Sequence, residues 1–293
     1  MIRFAVVVAV SVLLVVPSAA GAQALGQLFI EVVDGAGQFV PGMTPADFVV
    51  REDGREAGIV SAEPVAPMKI AFMVDNGDRM VEMNALNALR NGMQGFLEAV
   101  PPPHEISLFT IGRNIQRRVD FTTDRGELQR SAGEIFLDRG ASAVVLDGIR
   151  ETWERRFEDD EPFPVFVMVL TDGTEGSGNY NENEYVELVN ELITNAITVH
   201  VVLLSSRGGS VINQYALNLT QNTGGIYENI AAATGIEQML VSIAERMNAH
   251  YDNVSRRYRV VYERPNPPGT QISASITRSG ARIAGLFAGL RMQ

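Results

Sequence analysis

Between Met68 and His250, continuous apolar runs alternate with stretches whose apolar residues recur every three or four positions. The runs KIAFMVD (69–75), EISLFTIG (105–112), PVFVMVLTD (164–172) and ITVHVVLLS (197–205) predict strands buried on both faces, and QRRVDFTT (116–123) and GGIYENI (224–230) predict two shorter ones. Met80, Met83, Leu86, Met93, Phe96, Leu97 and Val100 share a helical face, so one helix is expected until Pro101, Pro102 and Pro103 stop it. Asp124 and Ser142 stand where they can cap helices ending near Leu137 and Glu158, and further helices are expected over 183–196, 211–221 and 234–250. Apolar strands alternating with amphipathic helices build a doubly wound, mostly parallel α/β sheet.

The flanks have a different period. QLFIEVVD (27–34), DFVVREDG (47–54) and AGIVSAEPV (57–65) predict strands with turns at GAGQ and Asp53-Gly54, while the prolines of SAEPVAP (61–67) predict a linker. After the α/β part, RRYRVVYERPNPPGTQISASITRSGARIAGLF predicts three strands with turns at Pro267-Pro268-Gly269 and Ser279-Gly280. Each flank is about 40 residues, too short to close a core alone, so the two are expected to share one small β module. The expected division is a signal peptide over 1–24, an N-terminal β segment over 25–67, the α/β domain over 68–250 and a C-terminal β segment over 251–293.

Composition narrows the chemistry. A chain of 293 residues, 46% hydrophobic and 20% charged, can bury a full core. Its net charge of -11 argues against nucleic acid or an anionic membrane and suits a cationic or neutral partner. With no cysteine, disulfides, thiolate nucleophiles and Cys-ligated zinc are excluded. Arg3, the apolar stretch Phe4–Val16, Pro17 and the small residues through Ala24 have the layout of a secretory signal, cleaved after an A-x-A at 20–22 or 22–24. That apolar stretch, about 13 residues, is short of the roughly 20 a membrane span needs. The mature chain is expected to begin near Gln23 or Leu25 and to be exported, to the periplasm or outside the cell, with no membrane span.

In doubly wound sheets, ligands bind beyond the carboxyl ends of the strands where strand order reverses. Asp75 and Asp172 end two of the predicted strands. FMVDNGDRM resembles the D-x-S-x-S motif of the von Willebrand factor A domain, and VMVLTDG resembles its T-D-G. The resemblance extends to the exported bacterial relatives of that family through VVDGAGQFVPGMTPADFVVREDGREAGIVS before the domain and SRRYRVVYERPNPPG after it. It implies a Rossmann-like domain that recognises another protein through its strand-end loops. It also implies a divalent cation held by two serine hydroxyls and a threonine hydroxyl, supported by the aspartates and completed by a partner's carboxylate.

Here Gly77 stands at the first serine position, Arg79 at the second, and either Ser142 or Ala143 at the threonine. Glycine offers no side-chain ligand and a guanidinium offers only donors. Asp75, Ser142 and Asp172 remain, a degenerate metal-ion-dependent adhesion site with no cofactor expected at it. Two carboxylates without a metal need a counter-charge, and Arg79 can pair Asp75, Asp172 or both; otherwise Arg79 points to solvent and Asp75 caps the next helix. The expected binding surface is Asp75, Gly77, Asp78, Arg79, Ser142, Asp172 and Gly173, on an exported, non-enzymatic protein-binding module. A working Mg2+-dependent adhesion domain is the alternative; Gly77→Ser with Arg79→Ser should recreate its D-x-S-x-S. A carboxylate-using hydrolase is a further alternative, with no G-x-S-x-G to support it. His104, His200 and His250 have no metal-ligand spacing, and GTEGSGN (173–179), without a phosphate-loop lysine, reads as a flexible loop.

Overall fold

The chain enters through β1 (Leu25–Asp34), β2 (Phe48–Glu52), β3 (Arg55–Ala57) and β4 (Ile59–Pro64) before the first strand of the central sheet, β5 (Lys69–Val74). The structure, a computed structural model, describes residues 24–158, 161, 163–178, 180–206 and 209–287; the expected signal segment, apart from Ala24, lies outside the described residues. The central sheet continues with β6 (Glu105–Thr110), β7 (Gln116–Thr122), β8 (Pro164–Thr171), β9 (Thr198–Leu204) and β10 (Tyr227–Ile230). Its order is β10-β9-β8-β5-β6-β7, parallel throughout except for β7, which runs antiparallel to β6. This is the doubly wound α/β sheet that the alternating pattern predicts.

Alternate residues of the strands feed two cores. Ile70, Phe72 and Val74 pack with α2 (Leu86–Ala99), α3 (Arg125–Gly133) and α7 (Ile236–Val254) on one face. Ala71 and Met73 pack with α4 (Val145–Arg156), α5 (Glu182–Thr194) and α6 (Val211–Thr223) on the other. All eight residues of β8 are buried, because helices cover the centre of a parallel sheet on both sides.

Several expected boundaries are corrected. The single helix from Met80 to Val100 is two, α1 (Asp78–Glu82) and α2, broken where Asn84 takes φ 49°, a left-handed conformation that asparagine tolerates. Ser142 caps nothing: α4 begins at Val145, with Val144 at its cap position. Helix α3 stops at Gly133, short of Leu137. The linker SAEPVAP is half strand, since Ser61 to Pro64 lie in β4 and pair with the strand β11 (Arg257–Glu263); β4 is an edge strand, where proline is tolerated. The short β3 was not expected and forms a hairpin with β2 across Asp53-Gly54.

The flanks meet in one β module. β12 (Ile272–Ile276) and β13 (Ala281–Phe287) complete it, in a four-stranded sheet ordered β13-β1-β11-β4 and a three-stranded sheet ordered β12-β2-β3. Leu28, Ile30 and Val32 of β1 point into its core with Phe48, Val50, Tyr258 and Val260, while Phe29, on the opposite face, joins the core of the α/β domain. One buried carboxylate ties the flanks together: Glu52 accepts hydrogen bonds from the Tyr262 hydroxyl (2.8 Å), Arg264 Nε (2.7 Å) and the Gly269 amide (2.7 Å). Among the described residues no helix is long and apolar enough to cross a membrane.

Candidate functional site

β5 and β8 are neighbours, and the chain leaves β5 toward β6 on one side and β8 toward β9 on the other, so their carboxyl ends form the topological switch point of the sheet. Asp75 and Asp172 follow those two ends directly. Asp75 is 2% exposed: its Oδ1 accepts the Gly77 amide (2.8 Å) and its other oxygen accepts the Thr171 hydroxyl. Burial pushes its pKa up, with the hydrogen bonds from Thr171 and Gly77 opposing.

Asp172 is satisfied differently. Arg79 Nε donates to its Oδ1 at 2.5 Å, while the Ser206 amide (2.8 Å) and the Ser205 hydroxyl (3.3 Å) donate to its Oδ2. The other arms of Arg79 reach Glu82 (2.7 Å) and the Ser206 hydroxyl (2.6 Å), so one guanidinium joins the start of α1, the end of β8 and the loop after β9. Its hydrogen bond to Asp172, then that to Glu82, holds it firmly charged. Of the two partners considered for Arg79 the structure gives it Asp172, while Asp75 takes Thr171 and Gly77. The stem of Arg79 lies over Gly173, where a Cβ would come within 3.0 Å of Arg79 Cβ; the glycine of T-D-G makes room for it.

The loop after β5 is closed against residues 140–143. Asp78 donates its amide to the Ala141 carbonyl (2.9 Å) and accepts the Gly140 amide on Oδ1 (2.9 Å). A Cβ built on Gly77 would stand 2.5 Å from the Ala141 carbonyl oxygen. A serine at 77, one half of the double change with Arg79→Ser that would recreate D-x-S-x-S, would therefore require the backbone of the 140–143 loop to move. Ser142 is exposed and lines the same pocket, whereas Ala143 is buried and bridges to Glu175. The pocket, about 310 Å³, is lined by Asp75, Asp78, Glu82 and Asp172 against Arg79. Among the described residues no group of three or more His, Asp or Glu side chains is placed to hold a metal ion.

Three contributors escaped the sequence reading. Asn76, at an x position of the D-x-S-x-S motif, is buried; its Nδ2 donates to the Phe136 carbonyl (3.0 Å), its Oδ1 accepts the Gly112 amide (2.9 Å) and its carbonyl accepts the Asp138 amide (2.7 Å). Glu175 and Asp147 hold the segment expected to be a flexible loop: Glu175 Oε1 accepts the amides of Val145 (3.0 Å) and Ser177 (2.8 Å), and Asp147 accepts the Gly178 amide and the Tyr180 hydroxyl (both 2.9 Å). Burial pushes the Glu175 carboxyl up. Glu175 stands 30 residues from the Val145 amide it accepts and Asp147 stands 31 from the Gly178 amide, so no local sequence pattern marks either contact.

No family model matches the sequence, and neither does any curated protein. Solved structures do match. A von Willebrand factor type A protein from Catenulispora acidiphila superposes with a TM-score of 0.53 over 91% of this chain and 73% of its own, at 9% identity. BatB from Bacteroides thetaiotaomicron (TM-score 0.49, 12% identity) matches 63% of this chain and 100% of its own. The von Willebrand domain of the type V pili tip protein Mfa5 from Porphyromonas gingivalis (0.47, 12%) matches 63% and 96%. At such identities the first of these likenesses establishes a fold.

Proposed function

We propose that this chain, whose α/β domain has the von Willebrand factor type A fold, is an exported, non-enzymatic module that binds another protein through its strand-end loops without a metal ion. The observation that carries the reading is the ion pair of Arg79 with Asp172 at 2.5 Å. The divalent cation that the fold family implies does not fit these residues. One aspartate oxygen is taken by a guanidinium, an oxygen of Asp75 is taken by Thr171, and both serine positions lack a hydroxyl. The partner group suited to the pocket is cationic, since Asp78 and Glu82 stand exposed at its rim in a chain of net charge -11.

Affinity capture from the native envelope tests this, with wild type beside Glu82→Lys and with EDTA beside millimolar Mg2+. A partner retained in EDTA and lost with Glu82→Lys supports the reading. Capture that requires Mg2+, or saturable Mg2+ binding by calorimetry, rejects the metal-free site.

A further inference from the structure

We propose a second site, for a small polyanion, in the cleft where the β module meets the α/β domain. The cleft, about 770 Å³, is lined by Arg246, Arg256, Arg257 and His250, with Glu31 as the one carboxylate among its described lining residues. Its floor is the Gly224-Gly225 turn leading into β10, at the opposite end of the parallel strands from Asp75 and Asp172. The volume falls in the range of small-molecule sites. In a chain of net charge -11, three guanidiniums against one carboxylate in the lining leave a local positive field in the cleft.

The arginines are prepared for an anion to different degrees. The guanidinium carbon of Arg257 stands over the Phe287 ring, 3.6 Å from its centroid. That platform depends on Gly285: a Cβ there would be 2.5 Å from the Phe287 ring, so the aromatic folds back across the glycine and beneath the guanidinium. Arg257 and Glu31 face each other across β1 and β11, yet form no ion pair, and Arg257 Nε is buried without a hydrogen-bond partner among the described residues. Arg256, just past the end of α7, is exposed and makes no hydrogen bond or ion pair among them either. Arg246 holds only a long contact to Glu228, 3.3 Å, with half its side chain in solvent.

A guanidinium held by stacking with its donors unspent loses little freedom when it binds, which favours bidentate capture of carboxylate or phosphate oxygens. The ligand class is a small molecule bearing two or more such groups, able to bridge Arg256 and Arg257. The close approach of Gly225 to Val199, whose carbonyl oxygen would lie 1.8 Å from an added Cβ, keeps the turn free of side chains and the cleft open.

The test is titration calorimetry of the full chain at low salt with citrate and, separately, pyrophosphate. Saturable one-site binding of either probe is expected, at least tenfold weaker in Arg256→Gln and in Arg257→Gln and unchanged in Arg282→Gln, whose arginine lies outside the cleft. Citrate alone assigns a polycarboxylate and pyrophosphate alone a phosphorylated ligand. Should Arg257→Gln fail to fold, the exposed Arg256→Gln still decides. No saturable binding of either probe, or binding equal to wild type in Arg256→Gln, overturns the proposal and leaves Arg256 as a charge complementing the α7 C-terminus.

Discussion

Replacing Arg79 with methionine keeps a stem of similar length over Gly173 and removes the guanidinium. The side chain of Arg79 is 12% exposed and that of Asp172 is 0%, so their pair lies in the regime where deleting one partner strands a buried charge. Such deletions cost about 3–5 kcal/mol. The second arm, to a Glu82 that is 58% exposed, adds roughly 0–1 kcal/mol. Arg79→Met is therefore expected to lose about 3–5 kcal/mol at neutral pH, read by urea unfolding. Asp172→Asn supplies the control, because the amide oxygen can still accept the Ser206 amide and needs no counter-charge. The double variant should be more stable than the two single losses predict when added, by about 0.5–3 kcal/mol. Either an Arg79→Met protein within about 1 kcal/mol of wild type, or single losses that simply add, would show that water screens the pair and that Arg79 does not organise the site.

Gly77→Ser, with its Cβ driven toward the Ala141 carbonyl, should lose about 1–3 kcal/mol by thermal or urea unfolding and gain no stabilisation from millimolar Mg2+; a Mg2+-dependent rise in Tm counts against the closed loop. His104 and His200 each accept a backbone amide on Nδ1, from Met68 and Ile226 (both 3.0 Å), and burial lowers their pKa values to about 4 and about 3. The unfolded chain therefore takes up protons first, and stability should fall as pH drops from about 6.5 toward 4, by up to roughly 1.4 kcal/mol per pH unit per histidine; a flat urea midpoint between pH 7 and 5 contradicts this. Asp75 has the opposite sign: its raised pKa makes ionisation unfavourable in the fold, so Asp75→Asn should gain on wild type as pH rises above the ordinary carboxylate range, and a loss at pH 7 that vanishes in acid disproves it. Arg264 holds the Glu52 pKa down, so its contribution is present at neutral pH and lost in acid; Glu52→Ala should cost about 3 kcal/mol at pH 7, and a change under 1 kcal/mol means the flanks are not locked there.

The central sheet could be read from the chain because burial on both faces leaves long apolar runs such as PVFVMVLTD, and little else writes that pattern. Where local chemistry competed with tertiary contacts, the reading slipped. The periodic face from Met80 to Val100 concealed a break at Asn84, since a left-handed residue leaves the spacing of its neighbours nearly intact. Ser142 has the type of a cap, yet the amide of Val145 is taken by a glutamate 30 residues away, which no local pattern reports. Proline suggested that SAEPVAP could not pair, but an edge strand asks only that the missing N–H face outward. Gly77 and Arg79 were legible as departures from a motif, whereas the carbonyl of Ala141 that closes over Gly77 arrives from another loop.

Asp75 and Asp172 pose one problem, negative charge at the ends of adjacent buried strands, and meet it in two ways. Asp75 spends its oxygens on the Thr171 hydroxyl and the Gly77 amide. Asp172 instead takes the long side chain of Arg79, which arrives from the first turn of α1 while its stem crosses Gly173. The glycine at 77 allows the close contact with Ala141, and the arginine at 79 brings the charge; either change alone would leave the site incomplete. A serine at 79 with glycine at 77 would expose Asp172 with no counter-charge, and an arginine at 79 with serine at 77 would push the 140–143 loop away from Asp78. The two departures from the motif thus depend on each other, so the Gly77→Ser and Arg79→Ser changes should be strongly non-additive in stability when combined.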